Sequence, residues 1–324
     1  MTPCRAGAVT LEKRRVSKQR KPIEWHDLAV LSRLPLWGLV AWLLPQAWWP
    51  HAAAWLAGPV HRPSAAIRQA AARLGVDADQ VTAQLDAHRI EHSFQYLRDY
   101  RPGGWQFETD VRGLPHLETA RASGKGVILW MAHCVFHGLA VKKRLHELGV
   151  QVHHLSRAEH GYSKTAFGIH VLNPIRARRE DRYLAGRIAI ADGVEERAMR
   201  TALRQLRAGA IISITAGAWE GRQIAVAPLA GCVYPLATGA PALAHATGAA
   251  LIPVFCCHER RSAGGRRLII ELSAPLAVPR QAPRDQAMAA AVGQFAGLTE
   301  AFMRAHPDDW RGWKYLRLSP IDPA

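Results

Sequence analysis

Gly126-Val127-Ile128-Leu129-Trp130-Met131-Ala132-His133-Cys134-Val135-Phe136-His137-Gly138 is the stretch whose reading decides the fold. Six apolar residues in a row after a glycine suit a fully buried strand and are too few for a helix. A histidine ends the run, and residues 136–148 then show helical spacing of apolar positions. A reactive side chain at the carboxyl end of a strand, on the turn into a helix, is where open α/β sheets place their ligand sites. His133 is therefore the first candidate functional residue. Its imidazole, with an ordinary pKa near 6.5, suits a general base, and the competing reading is a core histidine bonded to backbone.

Downstream, the pattern alternates. Strands are expected at 150–155, 186–191, 210–215, 250–257 and 267–272. Helices are expected at 165–172, 195–207, 235–247 and 286–306, with a basic loop holding Arg176, Arg178 and Arg179 after Asn173-Pro174. Such alternation argues for βαβ units and a mainly parallel sheet. Upstream, residues 64–100 read as two helices parted near Gly75-Val76-Asp77, with Asp77 as N-cap. Residues 106–111 alternate like a strand, and 114–123 form a short helix.

Residues 1–22 carry seven Lys/Arg against one acid and read as a mobile basic arm. Residues 34–60 contain no Lys, Arg, Asp or Glu and hold five of the eleven tryptophans. Tryptophan favours the membrane–water boundary. Pro45 and Pro50 would break this run into two short pieces, which suits an interfacial anchor better than a straight span. The alternative is a helical hairpin packed on the protein's own core. The expected organisation is thus a basic arm (1–22), a Trp-rich membrane-anchoring helical segment (23–62) and one α/β domain (63–324) with a mainly parallel central sheet flanked by helices.

The chain has 324 residues, 42 Lys+Arg and 26 Asp+Glu. That excess favours anionic partners, and the absence of a nucleic-acid-binding motif turns the expectation toward lipid headgroups, phosphorylated substrates or an acidic carrier. Five sparse cysteines suit reduced thiols rather than a disulfide framework.

A second candidate patch is Glu220-Gly221-Arg222, in the loop after the strand ending near Thr215. Glycine allows close backbone approach and arginine offers a planar fork for phosphate, although a solvated turn would look the same.

Taken in order, these features resemble the lysophospholipid acyltransferase superfamily, in particular its bacterial lipid A late (lauroyl/myristoyl) acyltransferase branch. The resemblance rests on Gly126 to His133, on Leu206-Arg207-Ala208-Gly209 before an apolar strand, and on Ala227-Pro228-Leu229-Ala230-Gly231. It continues through Thr238 to Ala244, Thr247 to Val254, and His306-Pro307-Asp308-Asp309-Trp310-Arg311-Gly312-Trp313-Lys314. What it implies is O-acyl transfer, with no cofactor, at the cytoplasmic face of the inner membrane. The donor would be an acyl carrier protein or acyl-CoA thioester, and the acceptor a hydroxyl of a lipid A precursor or related (glyco)lipid. His133 would be the base, Glu220, Gly221 and Arg222 would fall on the substrate-binding motif (its threonine absent), and Arg176, Arg178 and Arg179 would form a basic rim.

The first motif of that family places an acid five residues after its histidine, and here stands Gly138. Losing the equivalent partner in a hydrolase triad costs about 10⁴ in rate. Three readings follow: a carboxylate from elsewhere in the fold, His137 as a weaker orienting partner, or a catalytically silent lipid-binding relative.

Two further chemistries fit the residues alone. His88-x-x-x-His92 and His133-x-x-x-His137 could together form a four-histidine metal site. Cys134 could act as an acyl-accepting nucleophile, against the simpler reading of a buried thiol.

Overall fold

The computed structural model describes residues 10–12, 20–58, 61–157, 159–190, 195–217, 223–260 and 266–319. The buried strand read from residues 127–132 is β3 (Val127–Met131), every residue of which is buried. It forms the centre of a seven-stranded sheet with β2 (Thr109–Arg112), β4 (Val152–Arg157), β5 (Gly186–Ile190), β6 (Ile211–Thr215), β9 (Ala250–Arg260) and β10 (Arg266–Leu272), in the order β2-β10-β9-β3-β6-β4-β5. All pairings are parallel except β9 with β10. The apolar runs of β3, β6 and β9 need cover on both faces, which is the condition parallel sheets satisfy with flanking helices.

Several sequence expectations change. Residues 136–139 are not helical, because α6 spans only Ala140–Glu147. Asn173-Pro174 opens a helix rather than closing one: α7 is Asn173–Asp181, entered from a π-helical turn at Gly168–Leu172, and it contains the supposed basic loop. Proline in a first turn gives up an amide that would lack an intrahelical partner anyway. Pro235 lies in a strand, since β7 (Gln223–Leu229) and β8 (Cys232–Ala237) form a separate antiparallel hairpin before α9 (Gly239–Thr247). Thr10–Glu12 of the basic arm pairs with β7 as strand β1, and the other residues of 1–19 lie outside the described residues.

At the amino-terminal side, α1 (Trp25–Leu43) and α2 (Trp49–Ala57) pack on α4 (Ala78–Arg98). α1 ends before Pro45, but Pro50 sits in the first turn of α2 and does not break it. Asp27, fully buried, anchors α1: its Oδ2 accepts from the Glu24 amide and from Thr165 Oγ1, both at 2.8 Å. The inward stripe of α1 is Asp27, Val30, Leu34, Trp37 and Ala41. Trp25, Leu28, Leu39 and Leu43 of α1 stay exposed, as do Trp48 and Trp55. Among the described residues no helix is long and apolar enough to cross a membrane.

α3 (Ala65–Leu74), α5 (Leu114–Ala122), α8 (Glu195–Arg207) and α10 (Arg284–Ala305) complete the helical cover. After α10, residues 306–315 run back as short 3-10 turns along the segment that follows β3. The Arg311 amide donates to the His133 carbonyl at 2.7 Å and the Val135 amide to the Asp309 carbonyl at 2.9 Å.

Candidate functional site

The last turn of the chain and the crest of the central strand meet at His133. β3 delivers the residue at its carboxyl end, and the backbone pairing of 133–135 with 309–311 brings Arg311 and Tyr315 beside it. Tyr315 Oη lies 3.5 Å from His133 Nε2, with the rings edge to face at 5.1 Å. His133, Arg311 and Tyr315 all keep partial solvent contact. Two surface clefts of about 480 and 350 Å³ lie elsewhere and include none of the three.

His133 Nδ1 is buried without a hydrogen-bond partner. Among the described residues five carboxylates are buried, at Asp27, Glu91, Asp99, Glu180 and Asp309. No described carboxylate bonds to either His133 nitrogen. Burial and, next, the neighbouring Arg311 hold the imidazole well below its ordinary pKa, so it is neutral at physiological pH.

His137 does not orient His133. Its Nδ1 bonds the Cys134 carbonyl, its ring centroid stands 5.8 Å from that of His133, and burial lowers its pKa to about 4. Gly138 shows why an acid is hard to place five residues after His133. A Cβ built there would stand 2.5 Å from Tyr96 Oη and 3.2 Å from His92 Nε2. Tyr96 Oη in turn donates to Glu180 Oε1 at 2.6 Å. The volume is already occupied by α4 side chains.

Glu180 is the hub of this neighbourhood and is fully buried. Lys142 Nζ (2.6 Å), Arg187 Nη2 (3.0 Å) and His160 Nε2 (3.1 Å) converge on it together with Tyr96. Its carboxyl is held well below the usual range because these cations outweigh the cost of burying it. With every lone-pair direction engaged, it is a structural anchor.

The expected basic rim dissolves into three separate roles, because α7 is a helix. Arg176 points inward, stacked 3.9 Å from the Tyr162 ring centroid and 5.3 Å from that of Tyr96, with Nη2 donating to Ser93 Oγ at 2.9 Å. Arg178 is exposed, and Arg179 stacks on Tyr100 at 4.1 Å while donating to the Asp99 carbonyl. Glu220, Gly221 and Arg222 lie outside the described residues.

The four-histidine arrangement does not assemble. His88 donates from Nδ1 to the Asp308 carbonyl (3.0 Å) and its ring faces His258, whereas His92 packs edge-on against Tyr96. His88, His258 and Asp309 do gather within metal-ligating distance. Asp309 is nonetheless satisfied by one residue, taking the His258 amide at 3.0 Å and its Nδ1–H at 3.1 Å. This clamp ties the carboxyl-terminal turn to β9. Cys134 is fully buried and burial drives its thiol pKa well up, the opposite of what a nucleophile needs.

Sequence reading located His133, and named His92 only as a candidate metal ligand, but missed Tyr96 and Tyr315. The paired histidine spacing on α4 was the one hint toward that helix. In comparison with known proteins, the chain matches no family model and no curated sequence.

Proposed function

We propose that the chain is an O-acyltransferase working at a membrane surface. In this reading it moves a fatty acyl group from an acyl carrier protein or acyl-CoA thioester to a hydroxyl of a lipid A precursor or related (glyco)lipid, at the cytoplasmic face of the inner membrane. The observation that supports it best is a neutral, partly solvated imidazole at the carboxyl end of the central strand, beside Arg311. The motif order from Gly126 to Lys314 supplies the reaction class. The exposed apolar side of α1 and α2 supplies a surface for lipid, with Trp25 86%, Trp48 60% and Trp55 79% exposed.

His133 Nε2 takes the proton of the acceptor hydroxyl as the oxygen attacks the thioester carbonyl. The C–S bond then breaks and the imidazolium returns its proton to the departing thiolate. Tyr315 Oη faces the same nitrogen at 3.5 Å, so the acceptor hydroxyl must take its place at the single Nε2 lone pair. Base catalysis through Nε2 requires the proton on Nδ1, where no protein acceptor meets it. By comparison with the hydrolase triad, the price in rate is about 10⁴.

Transfer of radiolabelled acyl groups from acyl carrier protein and coenzyme A thioesters to extracted glycolipid tests the reading. Turnover by the wild-type chain that is lost in a folded His133→Ala variant is the expected result, and equal turnover in the two would refute it. One observation favours a second reading, a catalytically silent lipid-binding relative: the volume beside Gly138 is filled by Tyr96 and His92. That reading expects no transfer from either thioester together with binding to lipid vesicles.

A further inference from the structure

Among the described residues, β5 (Gly186–Ile190) ends the strand order of the central sheet and no strand pairs with its outer side. The Ala185 amide bonds the Val152 carbonyl on β4. By the alternation of a parallel ladder, Arg187 and Ala189 then also turn their backbone groups to β4, and Gly186, Ile188 and Ile190 turn theirs outward. Natural edges are commonly blunted by proline, by lysine or by inward-pointing charge. β5 has no proline and no lysine, and Arg187, its one charged residue, is held by Glu180 and Asp181.

A cleft of about 350 Å³ lies between this edge and α8, lined by Gly186, Ile188 and His153 of the sheet and by Arg197, Thr201 and Gln205 of the helix. Gln205 Oε1 is buried without a hydrogen-bond partner. Ala198, Ala202 and Leu206 form the buried side of α8. Arg197, Arg200, Arg204 and Arg207, all exposed, fall on the other flank of the cleft-lining residues, within about 80° of helical arc. Arg200 pairs with Glu196 at 3.7 Å, whereas Arg197, Arg204 and Arg207 make no ion pair among the described residues. This stripe is about 15 Å long, and the five residues of β5 span about 17 Å, so edge and stripe match in length.

We propose that the β5–α8 groove docks an extended acidic segment of a partner protein, added to the sheet as a further strand beyond β5. The segment's main chain pairs with Gly186, Ile188 and Ile190, and acidic side chains on its α8 side meet Arg197 and Arg204. Charge selects this occupant. A second copy of the chain carries a formal net charge of +16, and the amino-terminal arm has seven Lys/Arg against one acid, so either would bring like charge to the stripe. An anionic bilayer would neutralise the arginines but cannot pair with a strand edge. The inference does not rest on the acyl-transfer reading.

Fluorescence anisotropy on the full chain tests it, with a labelled peptide of alternating glutamate and threonine as the probe. Saturable binding is expected, and none of the lysine–threonine counterpart. Arg197→Gln/Arg204→Gln should weaken the acidic peptide at least tenfold, and Arg68→Gln, exposed on α3, should leave it unchanged. Methylating the peptide's amide nitrogens removes its strand edges without altering its charge and should abolish binding. Hydrogen–deuterium exchange needs no variant: saturating peptide should slow the amides of Gly186, Ile188 and Ile190 at least tenfold. Unchanged exchange there, wild-type affinity in the double arginine variant, undiminished binding of the methylated peptide, or no saturable binding at all would each overturn the proposal. So would protection of these amides by self-association of the chain, or by phosphatidylglycerol vesicles, where the peptide gives none.

Discussion

Replacing Gly138 with aspartate restores the acid that the motif would have, and the structure says that the fold resists it. The new Cβ arrives 2.5 Å from Tyr96 Oη, closer than real Cβ contacts come, so Tyr96 must move. Its 2.6 Å hydrogen bond to buried Glu180 is then stretched or broken. A hydrogen bond to a charged group is worth about 1.5–3 kcal/mol, and overpacking a core adds about 1–3 kcal/mol. Gly138 has an ordinary φ, so losing glycine's unfolded-state freedom returns about 0.4–1 kcal/mol. The net expectation for Gly138→Asp is a loss of about 2–5 kcal/mol, which lowers the melting temperature of a chain this long by roughly 3–8 °C. Differential scanning calorimetry with urea denaturation measures it. Tyr96→Phe removes the clashing oxygen, so the double variant should be less destabilised than the sum of the singles by about 1–3 kcal/mol. A Gly138→Asp chain melting with the wild type, or strict additivity with Tyr96→Phe, would refute the claim that Tyr96 occupies the acid's place.

Two other outcomes follow from the same interior. His137 has a folded pKa of about 4 against about 6.5 when unfolded, so the unfolded chain binds the extra proton first. Its contribution is fully present above pH 6.5 and is lost as pH falls toward 4, amounting to about 2 kcal/mol between pH 8 and pH 5. His92, His133 and His154 shift in the same direction. Equal urea stability at pH 8 and pH 5 would contradict this. At the surface, Trp48→Ala/Trp55→Ala should weaken partition onto anionic vesicles a hundredfold or more, since each inserted ring is worth up to about 3 kcal/mol. Sedimentation with vesicles reads this out, and unchanged partition would remove α1 and α2 from the membrane contact.

The legible parts of the fold are those whose local and tertiary demands agree. β3 and β6 are apolar runs that nothing but a covered sheet accommodates, and α8 has its charged and apolar faces cleanly divided. Both kinds of element were readable to within a residue or two. α7 was not, because Asn173-Pro174 looks the same whether it ends one helix or begins the next. The β7–β8 hairpin hid behind alanines and prolines with no clear period. At the site, His133 was legible because its strand is. Its surroundings come from α4, some forty residues upstream, and from the final turn, about 180 downstream, and no local pattern encodes such convergence.

The absent acid also looks different once the other carboxylates are accounted for. Asp27 holds α1 to the segment around Thr165, Asp99 ties Lys143, Tyr183 and the Trp105 amide together, and Asp309 clamps the last turn to His258. Glu180 gathers Lys142, Arg187, His160 and Tyr96. Each of these four buried acids is engaged in holding elements together, and none of the four can turn to His133 without undoing a structural joint. Gly138 is thus one part of an arrangement in which Tyr96 fills the acid's volume. Burial and, next, Arg311 keep the proton off His133. The Gly138→Asp/Tyr96→Phe cycle tests whether Tyr96 is what keeps the motif's acid out of that volume.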